Sequence, residues 1–192
     1  MLAWKKSNPN KLGIVNMSIG GAKNSALNQA INILINANIT VCVAAGNETK
    51  NAINTSPAST LNAITVGAYD NKTPNKLATF SNYGSIVDIL SPGVNIWSTY
   101  WKPDLKPDEY YFASLSGTSM ASPVVTGTIV PLLNKQPKLN PIQIASNIKI
   151  TSSKLFPAIY NSNKQGSNPR IILSNTANAA KTTNIGIWAG AY

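Results

Sequence analysis

Ser116-Gly117-Thr118-Ser119-Met120-Ala121-Ser122-Pro123 is the stretch of this 192-residue chain best suited to chemistry. Its glycine lets the chain turn sharply ahead of a helix, and its small side chains leave room for a substrate. A serine in the first helical turn lies where unpaired backbone N–H groups and the helix dipole favour negative charge. Such a position suits acyl transfer. Read alone, the same residues also serve as a plain cap, with Thr118 or Ser119 satisfying the first N–H groups of the helix. A second stretch, Gly46-Asn47-Glu48, follows an apolar run, and read alone it is a turn after a strand.

A reactive serine needs a rigid frame, and the pattern of the chain supplies one. Residues 13–18 (GIVNMS) are short and apolar, as in a strand, and Gly20-Gly21 breaks the run. From Ser25, a candidate N-cap, Ala26, Leu27, Ala30, Ile31, Leu34 and Ile35 recur at helical spacing as far as Asn36. Residues 39–45 (ITVCVAA) are almost continuously apolar, the signature of a strand covered on both faces of a parallel sheet. Strand, helix and strand within this span make a βαβ unit. Residues 63–68, 86–90 and 110–114 are further strand candidates, and the reading continues the sheet through all three. A long helix is expected over residues 118–134 and another over 140–147, with Pro141 in its first turn. The expected architecture is a three-layer α/β fold with a mostly parallel sheet and with function at the carboxyl ends of the strands. Residues 181–192 have no clear period and read as a loose tail.

Composition removes other classes. With 43% hydrophobic and 11% charged residues the chain can bury one sizeable core. No apolar run approaches the roughly 20 residues of a membrane helix, and the first ten residues lack a signal-peptide stretch. The net charge of +10 comes from 16 basic residues, of which Arg170 is the one arginine. They are dispersed, with Lys5-Lys6 the one adjacent pair, so the charge reads as a solvated lysine-rich surface and not as a nucleic-acid footprint. The single cysteine, Cys42, excludes an internal disulfide, and its apolar surroundings make it a buried, inert thiol.

Taken together and in order, VNMSIGG (15–21), VAAGNE (43–48), SPAS (56–59), ITVGAYD (64–70), FSNYGSIVDILSPG (80–93) and SGTSMASP (116–123) resemble the subtilisin family of serine proteases. The likeness is strongest to its proteinase K branch and spans roughly residues 1–175, the C-terminal part of such a peptidase domain. The resemblance implies that Ser119 is the nucleophile that forms the acyl-enzyme, and that the amide of Asn47 joins the N–H of Ser119 in holding the oxyanion. It implies that Ser18, Ile19 and Gly20 align an extended substrate, and that Ala44, Ala45 and Gly46 form one wall of the first specificity pocket. It also implies a cis proline at Ser56-Pro57, and a structural calcium held by Asp88 with carbonyls near Leu61 and Ala63. Asp88 as a solvated or ion-paired side chain is the alternative, and the chemistry itself requires no cofactor.

The departures from the family pattern matter as much. The chain contains no histidine, and none of Asp70, Asp88, Asp104 and Asp108 lies in a block resembling that of the catalytic aspartate. In the family both partners precede the region covered here, and Met1 falls within what resembles an internal helix. Val124 stands where the family often has a histidine, and Pro131 is expected to kink the long helix or end it early, weakening packing behind the nucleophile. Residues 1–178 are thus expected to form the C-terminal part of a subtilisin-like peptidase domain and 179–192 a tail. Without its preceding strands the sheet should show an exposed edge. The expected function is peptide-bond hydrolysis by the family, with the lone chain inactive for want of His and Asp. A missing N-terminal part could supply both, as in a split protease; a pseudoprotease that holds an extended peptide without cutting it is the other alternative. A polypeptide is the expected partner, with neither nucleic acid nor membrane. The family is usually secreted, but the sequence leaves the compartment open.

Overall fold

The structure is a computed structural model and describes residues 1–104, 106, 109–155 and 185–191. In chain order its elements are α1 (Leu2–Ser7), β1 (Leu12–Ser18), β2 (Gly21–Ala22), α2 (Ser25–Asn36), β3 (Ile39–Ala44), β4 (Thr55–Ser56), β5 (Ile64–Asp70) and β6 (Thr73–Leu77). These are followed by β7 (Ile89–Pro92), β8 (Ile96–Thr99), β9 (Phe112–Leu115), α3 (Thr118–Lys135), α4 (Pro141–Leu155) and β10 (Ile185–Ala191).

The main sheet follows from strand alternation. In β1 and β3, Val15, Val41 and Val43 turn to one face, where they pack with Ile31 and Ile35 of α2. Their neighbours Ile14 and Cys42 turn to the other, against Ala121, Val125, Ile129 and Leu133 of α3 and Ile144 of α4. A strand buried on both faces is apolar along most of its length, and β3 is buried throughout, with Thr40 its one polar residue. The result is the expected three-layer α/β fold, with β10, β1, β3 and β5 side by side and parallel. Beyond them β7 joins β5 in parallel and β6 antiparallel.

Several expectations need correcting. Residues 112–115 do not extend the main sheet: β9 pairs with β8 in a separate antiparallel ribbon. Period-two patterning identifies a strand but not its partner. Helix α3 does not end at Pro131 but runs to Lys135, and Ile129 and Leu133 on either side of the proline are buried. Ala121, Val125, Ile129 and Leu133, four residues apart, lock one stripe onto the sheet. Each large aliphatic side chain so buried contributes about 1.5–3 kcal/mol, enough together to outweigh the roughly 3 kcal/mol that an interior proline costs. The N-cap of α2 is Asn24, not Ser25, and its side chain accepts from Leu27 N at 3.0 Å. Within the stretch expected to be a loose tail, residues 185–191 form β10, which pairs with β1 along its full length, so the outer edge of β1 is covered. The boundary drawn at 178/179, Arg170 and Asp108 lie outside the described residues.

Candidate functional site

Gly117 caps α3, which places Thr118 and Ser119 in its first turn. The turn is fastened from behind: Gly117 N donates to Gly93 O at 2.8 Å. Gly93 itself has no room for a side chain, since a Cβ there would stand 2.6 Å from Ala68 Cβ and 2.9 Å from Gly117 O. Ser119 is half-buried. Among the described residues no side chain hydrogen-bonds its Oγ.

Asn47 reaches this turn from the loop after β3. Its Oδ1 accepts from Thr118 N at 2.8 Å and from Thr118 Oγ1 at 2.9 Å. With the carbonyl side of the amide committed, the Nδ2 side faces Gly117, 3.4 Å from where a Cβ on that glycine would lie. Thr118 Oγ1 accepts in turn from Gly46 N at 3.1 Å. The two loops are thereby locked to each other, and the Asn47 amide donor is turned to the N-terminus of α3.

A buried asparagine that the sequence reading passed over holds the Asn47 loop. Asn82 is 0% exposed, and its N donates to Gly46 O at 2.9 Å. Its Nδ2 donates to Ala45 O at 2.9 Å and to Glu48 Oε2 at 2.7 Å. Its Oδ1 accepts from Glu48 N at 3.1 Å and Lys50 N at 3.0 Å. Five bonds therefore bracket Asn47 on both sides. Gly46 fits this packing for two reasons: its φ is +104°, and a Cβ would collide with the Asn82 amide. The exposed Lys50–Glu48 pair, 3.9 Å apart, adds little by comparison.

A second polar chain ties Ser119 to β1. Ser18 Oγ donates to Ser119 O at 2.8 Å and accepts from Asn16 Nδ2 at 3.0 Å. Asn16 Oδ1 accepts from Ser122 Oγ at 2.7 Å. In the sequence the signal was an asparagine within an otherwise apolar strand, because a buried amide needs partners.

The remaining expected residues divide. Ser18 is buried and pairs with Ala191 of β10, whereas Ile19 and Gly20 lie beyond β1 and pair with no strand among the described residues. Ala44 and Ala45 are buried beneath the Asn47 loop, and Gly46 is half-buried. The Ser56–Pro57 bond is cis. Asp88 Oδ2 accepts from Thr65 N at 2.9 Å while Asp88 N donates to Thr65 O at 2.9 Å, tying β5 to the segment before β7. Among the described residues no three or more carboxylate, histidine or cysteine side chains gather where they could hold a metal ion. Calcium at Asp88 would therefore depend on backbone carbonyls. Burial pushes the Cys42 thiol up to about 12, so it stays protonated and inert near neutrality.

The sequence matches the peptidase S8, subtilase family over residues 2–171. The chain belongs to the subtilase family. Among curated subtilases it is 47% identical over 126 residues to a cuticle-degrading serine protease of Arthrobotrys oligospora, covering 65% of this chain and 29% of that protein. It is 48% identical over 132 residues to the subtilisin-like serine protease Rho m 2.0101 of Rhodotorula mucilaginosa, covering 69% and 36%. Cerevisin of Saccharomyces cerevisiae is 47% identical over 135 residues, covering 70% of this chain and 20% of cerevisin. The alignments thus take in about a third or less of each relative's length. Among solved structures, a cold-adapted subtilisin-like serine proteinase superposes with a TM-score of 0.73 at 30% identity, covering 91% of this chain and 59% of that one. These likenesses establish the family and the fold, both as the sequence blocks implied. No helix among the described residues is long and apolar enough to cross a membrane.

Proposed function

We propose that this chain carries the nucleophile and oxyanion side of a serine endopeptidase, and that its base comes from other polypeptide. The observation that carries the reading is the grip of Thr118 on Asn47 Oδ1, which leaves Nδ2 as a fixed donor beside the first turn of α3. Ser119 Oγ attacks the scissile carbonyl and its proton passes to the base. The carbonyl oxygen becomes an oxyanion between Asn47 Nδ2 and Ser119 N. Collapse of the tetrahedral adduct breaks the C–N bond, the base returns the proton to the leaving amine, and water then releases the acyl group. Donors fixed before the reaction need no reorganisation as the charge develops, which is why the locked loops matter more than any single contact.

The chain has no histidine to act as base. A hydroxyl without a base is a poor nucleophile near neutral pH, so the chain alone retains only the weak catalysis of an oxyanion hole and binding. The test is to treat the purified chain with a fluorophosphonate probe, alone and mixed with a polypeptide carrying subtilase Asp-Gly and His-Gly blocks. Labelling of Ser119 that is slow alone, rises on mixing and vanishes in Ser119→Ala is the expected result. Rapid labelling of the chain alone contradicts the missing base, and no labelling in the mixture contradicts the nucleophile.

The absence of histidine also favours a second reading, a pseudoprotease that holds an extended peptide along Ser18, Ile19 and Gly20. It predicts saturable peptide binding that survives Ser119→Ala and no gain of labelling on mixing.

A further inference from the structure

Among the described residues, most of the exposed large hydrophobic side chains gather around one short ribbon. Of the large hydrophobic side chains that face solvent, Trp97, Tyr100, Trp101, Tyr110, Tyr111, Phe112 and Leu115 all belong to β8, β9 and the residues that join them. Antiparallel pairing sorts them onto faces. Trp97 lies opposite Ser114 and Thr99 opposite Phe112, so these four share one face, while Ile96, Ser98, Ala113 and Leu115 share the other. The ladder extends by one bond, from Tyr100 N to Tyr111 O at 2.8 Å, and those two rings meet edge to face at 6.2 Å. Trp101 and Tyr110 lie just beyond the ends of β8 and β9, next in the chain to Tyr100 and Tyr111. With Trp97 and Phe112 on one face, the ribbon and the residues next to it present four aromatic rings that are 72%, 72%, 84% and 55% exposed for Trp97, Trp101, Tyr110 and Phe112.

Three observations say what such a face fits. First, the ribbon is two-stranded, and among the described residues neither β8 nor β9 pairs with any other strand, so each keeps an unpaired edge. Two strands alone are marginal in water, and a third strand together with apolar contacts on one face stabilises them. Second, residues 96–115 contain two lysines and three acidic residues, a net charge of −1 in a chain that carries +10. Lys102 is moreover engaged over the Tyr111 ring at 3.6 Å. An anionic surface, whether lipid or nucleic acid, calls for the opposite sign. Third, β9 runs directly into Ser116 and the turn that bears Ser119, and the base of the ribbon is pinned there by the bond from Asn95 N to Ser116 Oγ at 2.9 Å. A strand added along β9 therefore borders the turn that bears Ser119.

We propose that the β8–β9 ribbon is a docking edge for an extended, apolar stretch of polypeptide substrate. The stretch adds to the ribbon as a further strand, main chain to main chain, with alternate side chains packed on Trp97, Trp101, Tyr110 and Phe112. The substrate class is accordingly polypeptide that is unfolded or locally extended and rich in apolar residues. The proposal rests on the reading of Ser119 as the nucleophile for its functional meaning, but its physical content is a binding surface that can be measured separately.

The test uses the full chain as Ser119→Ala, so that acylation contributes nothing. Two fluorescein-labelled decapeptides serve as probes, one alternating valine and threonine and one alternating serine and threonine. The expected result is at least ten-fold tighter binding of the valine peptide, and a loss of ten-fold or more when Trp97→Ser and Trp101→Ser are introduced together. Equal binding of the two peptides, or unchanged binding by the variant, overturns the proposal. So does burial of the ribbon tryptophans by phosphatidylserine vesicles alone, or by self-association in sedimentation equilibrium. Circular dichroism checks that the variant is folded; if it is not, Phe112→Ser and quenching of tryptophan fluorescence by acrylamide with and without peptide read the same face. Fluorophosphonate labelling of the unsubstituted chain, done in parallel, separates the two ideas: peptide binding without labelling leaves the ribbon standing and removes the nucleophile, and labelling without peptide preference does the reverse.

Discussion

The turn that bears Ser119 and the ribbon that leads into it are neighbours in the chain and opposites in construction. Around Ser119 nearly every polar group is spoken for: Asn82 brackets the Asn47 loop with five bonds, Thr118 grips Asn47, and Asn16 and Ser18 tie the first turn of α3 to β1. The ribbon holds itself together by one short ladder and faces water with aromatic rings. The difference teaches where rigidity is required. Stabilisation of a developing charge depends on donors that do not move, whereas capture of a polymer tolerates a surface that adjusts.

The contrast can be broken most forcefully at Asn82. Asn82→Ala strands the N–H groups of Glu48 and Lys50 and the carbonyl of Ala45, and a loss of about 3 kcal/mol in urea unfolding is expected from leaving such groups without partners. Asn16→Leu should cost less, about 2 kcal/mol by the same measurement, because it removes the partners of Ser18 and Ser122 but adds apolar contact in a buried site. Trp97→Ser with Phe112→Ser should change folding stability by no more than about 0.5 kcal/mol, since both side chains are already in water. A destabilisation as large as that at Asn82 would erase the distinction between the two regions.

The smallest effect concerns Cys42. The free thiol has an ordinary value of 9.0 and the folded one is pushed up to about 12, so burial favours the folded state fully below pH 9 and that advantage is lost as pH rises through 12. Unfolding free energy measured from pH 8 to 12 should fall more steeply in the parent than in Cys42→Ala, and a disulfide-exchange reagent at pH 8 should modify Cys42 only after denaturant is added.

Much of this was legible in the sequence, for identifiable reasons. Helix α2 was read to its last residue because its apolar residues recur at one period and a helix contains its own hydrogen bonds. β1, β3 and β5 were legible because strands buried on both faces are predominantly apolar. The placement of β9 was not, because pairing is decided by residues far away. The early end expected at Pro131 does not occur, because local propensity yields to a stripe of four buried side chains. β10 was missed because residues 181–192 have no period of their own, and the edge of β1 supplies the order. At the site, Ser119 and Asn47 stood out through motif resemblance. Asn82 and Thr118, which hold Asn47 in place, did not, since an asparagine after a serine and a threonine at a helix start look like turn and cap residues until their partners are seen.

The most direct test of the central claim, a nucleophile with a formed oxyanion hole and no base of its own, is the pH profile of Ser119 labelling by a fluorophosphonate in this chain alone. Without an imidazole the rate should climb smoothly with pH and show no inflection between about pH 5 and 8, the range in which histidine titrates. A sigmoid centred near pH 6.5–7 would mean that a base within these 192 residues serves Ser119, and the account would be wrong.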